Sequence, residues 1–310
     1  MYRLLSGAYL GWGLGANDAA NIFGTGVASG VVKYRTAIIL TAVFVIIGAY
    51  VEGARGIETY GKLSGMDINS AFIATLAAAV TINILTVLSL PVSTSQAIVG
   101  SIIAIGLVSG SLNVLILRKI FLSWVLSPLG AAVISYILYR SLGRIIENRI
   151  RNVRVWSLIM KIGFYTAGIY GSYTLGANNV ANTTGVFVKA GMVSLPAALL
   201  IGGGSIGLGV LTYSKGVMNT VGSGITHLSE FGALTAILSM DLTVHIFTWV
   251  GVPVSTSQAI VGSVVGVGLV KSSKAINKRI IGRIGLGWLS TPIISLGLAY
   301  MIYTLYSLFF

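Results

Sequence analysis

Apolar residues run in long stretches along this chain, and the polar residues inside them come in short clusters rather than in alternation. Residues 71–117 and 163–188 contain no Asp, Glu, Lys, Arg or His, and 231–270 contain only Asp241 and His245. About 20 residues of helix cross a hydrocarbon core, so the first and last stretches exceed one span. Such spans must be helical, because an open sheet leaves backbone groups unsatisfied in lipid. The pattern predicts segments at about 4–32, 36–51, 69–90 joined to 91–109, and 120–139. A second series is predicted at about 162–188, 193–211, 231–252 joined to 253–270, and 284–309. The chain reads as an all-α polytopic membrane protein with about 10–12 membrane segments, some of them broken or re-entrant. The first apolar run continues straight into a polar cluster at 15–21, unlike a cleavable signal peptide.

The two series are copies of one unit. Leu14-Gly-Ala-Asn-Asp-Ala-Ala-Asn21 recurs as Leu175-Gly-Ala-Asn-Asn-Val-Ala-Asn182, 161 residues later. Pro91-Val-Ser-Thr-Ser-Gln-Ala-Ile-Val-Gly-Ser101 recurs letter for letter at 253–263, offset 162. Trp124 and Pro128 are echoed by Trp288 and Pro292, offset 164. The repeats divide the chain into halves at 1–150 and 151–310, within one membrane domain.

Charge agrees with the membrane reading. Only 9% of residues are charged and 55% are hydrophobic, against roughly 25% charged in a soluble domain. The net charge of +13 sits between the apolar runs, at 140–161 and 271–283, and so reads as topology rather than nucleic-acid binding. Counting crossings puts Lys33, Arg35, Lys215 and those two loops together, fourteen of the 20 basic residues. By the positive-inside rule that side is cytoplasmic and both termini lie outside. An odd number of crossings per half then makes the halves opposite in direction, the inverted-repeat plan of secondary transporters. Forty glycines suit close helix packing, and without cysteine there is neither disulfide nor thiolate metal site.

Polar clusters within apolar runs are costly unless they line a cavity or pathway. In Pro91-Val-Ser-Thr-Ser-Gln96, proline suits a first helical turn, and Ser93, Thr94 or Ser95 can cap the helix. Free N–H groups and the positive end of the dipole then coincide, which suits an anion. The second copy, with Ser255, Thr256, Ser257 and Gln258, supplies another such end. Asn17 and Asn21 share a helix face with Asp18 beside them. If the helix opens at Gly15, carbonyls join these oxygens in an environment suited to a small cation. Asn178, Asn179 and Asn182 repeat this without the carboxylate. None of the four clusters contains Lys or Arg, so a dianion held there is under-neutralised and calls for co-bound cations, Na+ or H+. A lone hydroxyl in a membrane helix ordinarily bonds its own backbone, but four matched clusters at repeat-related positions do not read that way.

Asp241 is a lone intramembrane acid whose repeat equivalent is Ala79. It reads either as a cation or proton site or as a locally paired acid, with His245 one turn on as partner. His227 falls in a loop, and Glu52, Glu58 and Glu230 read as solvated charges at loop ends. The tail 300–310 reads as an interfacial anchor. No nucleophile, base and orienter recur together, which argues against an enzyme and leaves no catalytic residue or cofactor to assign.

At these motifs the sequence resembles the inorganic phosphate transporter (PiT) family, whose hallmark is Gly-Ala-Asn-Asp and Pro-Val-Ser-Thr in each half. The resemblance covers essentially the whole chain. It implies cation-coupled phosphate symport in the cell membrane, an inverted-repeat all-α fold and a homodimer. Asn17, Asp18, Asn21 and Ser93, Thr94, Ser95 and Gln96 would line a first half-site, and Asn178, Asn179, Asn182 and Ser255, Thr256, Ser257 and Gln258 a second. Within these, the hydroxyls, Gln96, Gln258, Asn21 and Asn182 would hold phosphate. Asn17, Asp18, Asn178 and Asn179 would hold Na+, with Asp241 as a further candidate. Two departures stand out: Asn179 replaces an aspartate, and Gln96 and Gln258 stand where some members have histidine. The family also includes sulfate carriers, so sulfate is the alternative substrate. A passive anion channel is the alternative of a different class.

Overall fold

The computed structural model describes residues 2–87, 92–221, 228–271 and 278–309, and in them the chain forms eleven helices. The first half contains α1 (Leu4–Ala28), α2 (Tyr34–Glu52), α3 (Ala54–Leu63), α4 (Ile68–Val87), α5 (Thr94–Val108) and α6 (Val114–Arg149). The second contains α7 (Val153–Lys189), α8 (Leu195–Val221), α9 (Glu230–Val250), α10 (Thr256–Lys271) and α11 (Lys278–Phe309). Pro91, His227 and Lys274 lie outside the described residues.

Six helices, α2, α4, α6, α8, α9 and α11, are long and apolar enough to cross a membrane. The motif-bearing α1 and α7 have 25 and 37 residues. α5 and α10, with 15 and 16 residues, are short of the roughly 20 that a full crossing takes.

The interior is built by exchange between the halves. α1 runs beside α8 in the same direction, with Gly11 against Ser205 and Gly24 against Met218. α2 runs likewise beside α7, with Gly48 against Tyr173 and Gly53 against Val180. α5 lies on α11 and α10 on α6. Glycine makes these approaches possible at repeat-related positions. A Cβ on Gly15 would strike the Ile206 carbonyl, and one on Gly176 the Val45 carbonyl. Gly100 and Gly262, which close the two Pro-Val-Ser-Thr motifs, abut the carbonyls of Pro292 and Pro128. Lipid gives little drive for helix association, so small residues that admit close backbone contact carry it. The hydrogen bond between Ser101 on α5 and Ser295 on α11 (2.6 Å) adds to it. Apolar side chains such as Leu122, Val125 and Leu129 of α6 and Leu286, Leu289 and Ile293 of α11 cover the outer surface.

Three expectations are corrected. Helix α1 passes through Gly15 without a break, and α7 passes through Gly176; both glycines are there because a neighbouring backbone presses against them. Pro253 does not enter the first turn of α10: that helix starts at Thr256, because Ser255 supplies the cap, and Pro253 lies in the extended link before it. Residues 54–63, left out of every predicted segment, form the amphipathic α3, with Ile57, Tyr60 and Leu63 buried and Glu58 and Lys62 paired in solvent at 2.5 Å.

Candidate functional site

Each Pro-Val-Ser-Thr motif begins a helix in the protein interior. Ser93 caps α5 by accepting from the Gln96 N–H (3.3 Å), and Ser255 caps α10 by accepting from the Gln258 N–H (3.2 Å). The preceding helix α9 stops at Gly251, whose φ of 76° favours glycine, and its N–H returns to the Thr248 carbonyl. The two capped ends meet: the Ser95 hydroxyl donates to the Val254 carbonyl at 3.1 Å. N–H groups of a helix's first turn lack partners within that helix, so two sets of donors converge here.

The middles of α1 and α7 close around these ends. Thr256 donates to Asp18 Oδ2 (2.8 Å), and Asn17 Nδ2 donates to Asp18 Oδ1 (3.1 Å). Asn21 donates to Ser257 Oγ (3.4 Å). On α7, Asn182 donates to Ser95 Oγ (3.1 Å) and to Asn179 Oδ1 (2.8 Å), while Asn179 donates to the Leu175 carbonyl (3.2 Å). Asn178 accepts from the Val254 N–H (3.1 Å) and donates to Thr248 (3.0 Å). Of these residues only Asn17 and Ser257 are partly exposed; the rest are buried.

The half-sites expected from sequence are exchanged in part, with Asn178 staying at the motif of its own half through Val254. Asp18 and Asn21 reach the second motif, not the first, and Asn182 reaches the first. The cause is the packing of α10 beside α6 and α5 beside α11, which carries each capped end across to the other half.

The exchange leaves an asymmetry. Thr256 has Asp18 to donate to, but its counterpart Thr94 is buried without a partner among the described residues. Asn179, at the place equivalent to Asp18, turns instead to Asn182 and its own helix. Gln96 Oε1 and Gln258 Oε1 are also buried and unpartnered among the described residues.

Asp241 lies outside this network, buried against Gly171 of α7, with neither oxygen partnered among the described residues. His245 is not its partner. Its Nε2 meets Glu52 Oε2 at 2.8 Å and its Nδ1 meets the Tyr170 hydroxyl at 2.7 Å. Glu52 is accordingly no freely solvated charge: it closes the end of α2 onto α9. Glu230 is exposed and accepts from Trp156 (3.0 Å).

Sequence reasoning missed Tyr60. Fully buried on α3, it donates to Asn182 Oδ1 at 2.6 Å and so fixes that side chain's orientation toward Ser95. The spacing Ile57, Tyr60, Leu63 beside Arg55, Glu58 and Lys62 carried the signal of a one-sided helix.

An all-helical bundle with two capped helix ends meeting asparagine-rich helices at a buried polar centre defines a multi-pass membrane transporter, not an enzyme. The profile of the phosphate transporter family matches residues 14–299, and the chain belongs to that family. A candidate phosphate permease of Methanocaldococcus jannaschii is 35% identical, over 97% of this chain and 95% of its own length. The sulfate permease CysP of Bacillus subtilis is 29% identical, over 98% of this chain and 87% of its own. A solved structure titled "The sodium-dependent phosphate transporter" superposes with a TM-score of 0.89 at 25% identity, each chain covered in full.

Proposed function

We propose that the chain imports inorganic phosphate across the cell membrane by sodium symport, at a midplane site between two inverted repeats. The observation that carries this is the meeting of two hydroxyl-rich helix ends around Asp18, with no Lys or Arg among the residues that converge there. N–H groups and hydroxyls at Ser93, Thr94, Ser95, Ser255, Thr256 and Ser257, with the amides of Gln96, Gln258, Asn21 and Asn182, offer a tetrahedral anion donors from two directions. Those donors do not neutralise it, and a buried dianion without a counter-charge is costly. Sodium at Asp18, with Asn17 beside it and Asn178 and Asn179 across the site, supplies the counter-charge. Each ligand then raises the other's affinity, which is the thermodynamic content of symport.

The same-direction runs of α1 with α8 and α2 with α7 support the inversion. Short connections make α7 and α8 antiparallel neighbours, so α1 and its counterpart α7 run oppositely. A homodimer is part of the proposal on the family resemblance.

The test is labelled phosphate uptake into proteoliposomes under imposed sodium or proton gradients, with labelled sulfate as comparator. Sodium-driven uphill phosphate accumulation is expected. Uptake that only equilibrates would make the protein a channel, preference for sulfate would reassign the substrate, and no gradient-dependent uptake of either anion would sink the proposal.

A further inference from the structure

Asp241 is the one acid that the α9 segment carries into the bundle, and the central site does not use it. It is 0% exposed, and neither carboxylate oxygen has a hydrogen-bond partner among the described residues. The room it occupies is built for it. A Cβ on Gly171 would meet Asp241 Oδ1 at 2.5 Å and Cγ at 2.9 Å. By the repeat offsets, the first half has Leu10 in place of Gly171 and Ala79 in place of Asp241, and both belong to one apolar core cluster. Large and small have exchanged places between the halves, so a carboxyl lies where a leucine would pack.

The surroundings decide which ligand fits. From α7, Tyr170 is the titratable group that faces it; its hydroxyl is engaged by His245 Nδ1. His245, one turn along α9, is held by Glu52 from α2, beside Tyr173 of α7. Asp18 on α1 is engaged by Thr256 and Asn17. Residues 256–270 of α10 and 120–135 of α6 contain no titratable side chain. From α3, Arg55 reaches only the Trp249 carbonyl at the far end of α9. No group of three or more His, Cys, Asp or Glu that could hold a metal occurs among the described residues. A hard metal cation takes about six oxygen ligands, whereas a proton needs one. An ionised acid without a partner at this depth is costly, and one proton removes the cost.

We propose that Asp241 is a proton-binding site of the transport cycle, lodged in a niche that Gly171 opens. The role in the cycle rests on the transport reading above; the binding of the proton does not. α7 and α9 run in the same direction, with Gly163 facing Leu234, Gly171 facing Asp241, and Asn178 bonded to Thr248. Seven residues, two helical turns or about 10 Å, separate the niche from Asn178. The closed α7–α9 contact accommodates a neutral carboxyl. Ionisation requires water or a counter-charge, and hence a looser contact. Proton occupancy therefore biases the separation of the two helices that position Asn178.

Infrared spectroscopy of the purified protein in lipid, without phosphate, reads the site directly. The carbonyl stretch of a protonated buried carboxyl is expected, lost in D241N and displaced in G171A, whose added methyl presses on the group. In proteoliposomes, the protons carried inward per phosphate should fall by about one in D241N, because one carboxyl binds one proton. A D241N spectrum that superposes on the parent, or an unchanged proton-to-phosphate ratio, overturns the proposal. If D241N does not assemble, an unshifted band in G171A overturns it equally. The carboxyl band present without any phosphate uptake would remove the transport reading and leave the proton site standing.

Discussion

Asp18 and Asn179 occupy equivalent places on α1 and α7, yet one accepts a hydroxyl from the facing helix end and the other turns to its own helix. That single atom-pair difference puts the negative charge of the centre on one side. Hydrogen bonds to a charged group contribute about 1.5–3 kcal/mol, so Asp18→Asn should lower sodium-driven phosphate uptake roughly 10- to 100-fold. Glu58→Gln, on the solvent face of α3, should leave uptake unchanged. Initial rates in proteoliposomes check both, and equal rates for the two variants would remove Asp18 from the site. Asn179→Asp gives the unpartnered Thr94 an acceptor, and the expected result is sodium activation at lower concentration. These residues were legible in the sequence because they recur at a fixed offset. Tyr60 was not, because it has no repeat counterpart and its helix carries as many charges as a loop. Nor was the pairing of His245 with Glu52 legible. Proximity along a helix pointed to Asp241, and the actual partner comes from α2, 193 positions away.

The same limit operates on whole helices. Glycine in a membrane helix marks either a hinge or a place where another backbone comes close, and the letter alone does not distinguish them. Gly15 read as a hinge; it is a contact with the Ile206 carbonyl, repeated by Gly176 and Val45. The difference has a measurable consequence. Gly15→Val or Gly176→Val forces two backbones apart, and overpacking of this kind costs typically 1–3 kcal/mol or more. Gly13 and Gly204, in the same α1 and in α8, have nothing within 4 Å of an added Cβ. Alanine at those positions should be neutral or stabilising by up to about 1 kcal/mol through helix propensity. Thermal unfolding of the detergent-solubilised protein separates the two sets, and similar losses in both would mean that the carbonyl contacts do not hold the helices. Helix ends followed chemistry that was readable, since the serine caps Ser93 and Ser255 lie inside the recognised motif. Their assignment to partners was not, because it depends on which long helix each short one packs against.

At the scale of the molecule, the exchange explains why repeat symmetry and site asymmetry coexist. Each half keeps its own order of helices, but α1 lies on α8, α2 on α7, α5 on α11 and α10 on α6. These four contacts join one half to the other, and a residue that drifts in one copy changes an interface shared by both. On the proposed inversion the two capped ends face one centre; two copies in the same direction would set them side by side, pointing the same way. The connections 29–33 and 190–194 are equivalent in the repeat, so they must then lie on opposite sides of the membrane. The chain has no cysteine, and single substitutions Ser29→Cys, Ser109→Cys, Arg151→Cys and Ser194→Cys at exposed positions can be read without background. A membrane-impermeant maleimide applied to intact cells should label Ser109→Cys and Ser194→Cys, and reach Ser29→Cys and Arg151→Cys only after permeabilisation. The basic loops set the absolute direction, so the reverse pattern would overturn the orientation but keep the inversion. Labelling of Ser29→Cys and Ser194→Cys from one side would overturn the inversion itself, and with it the convergence of the two helix ends on a single anion.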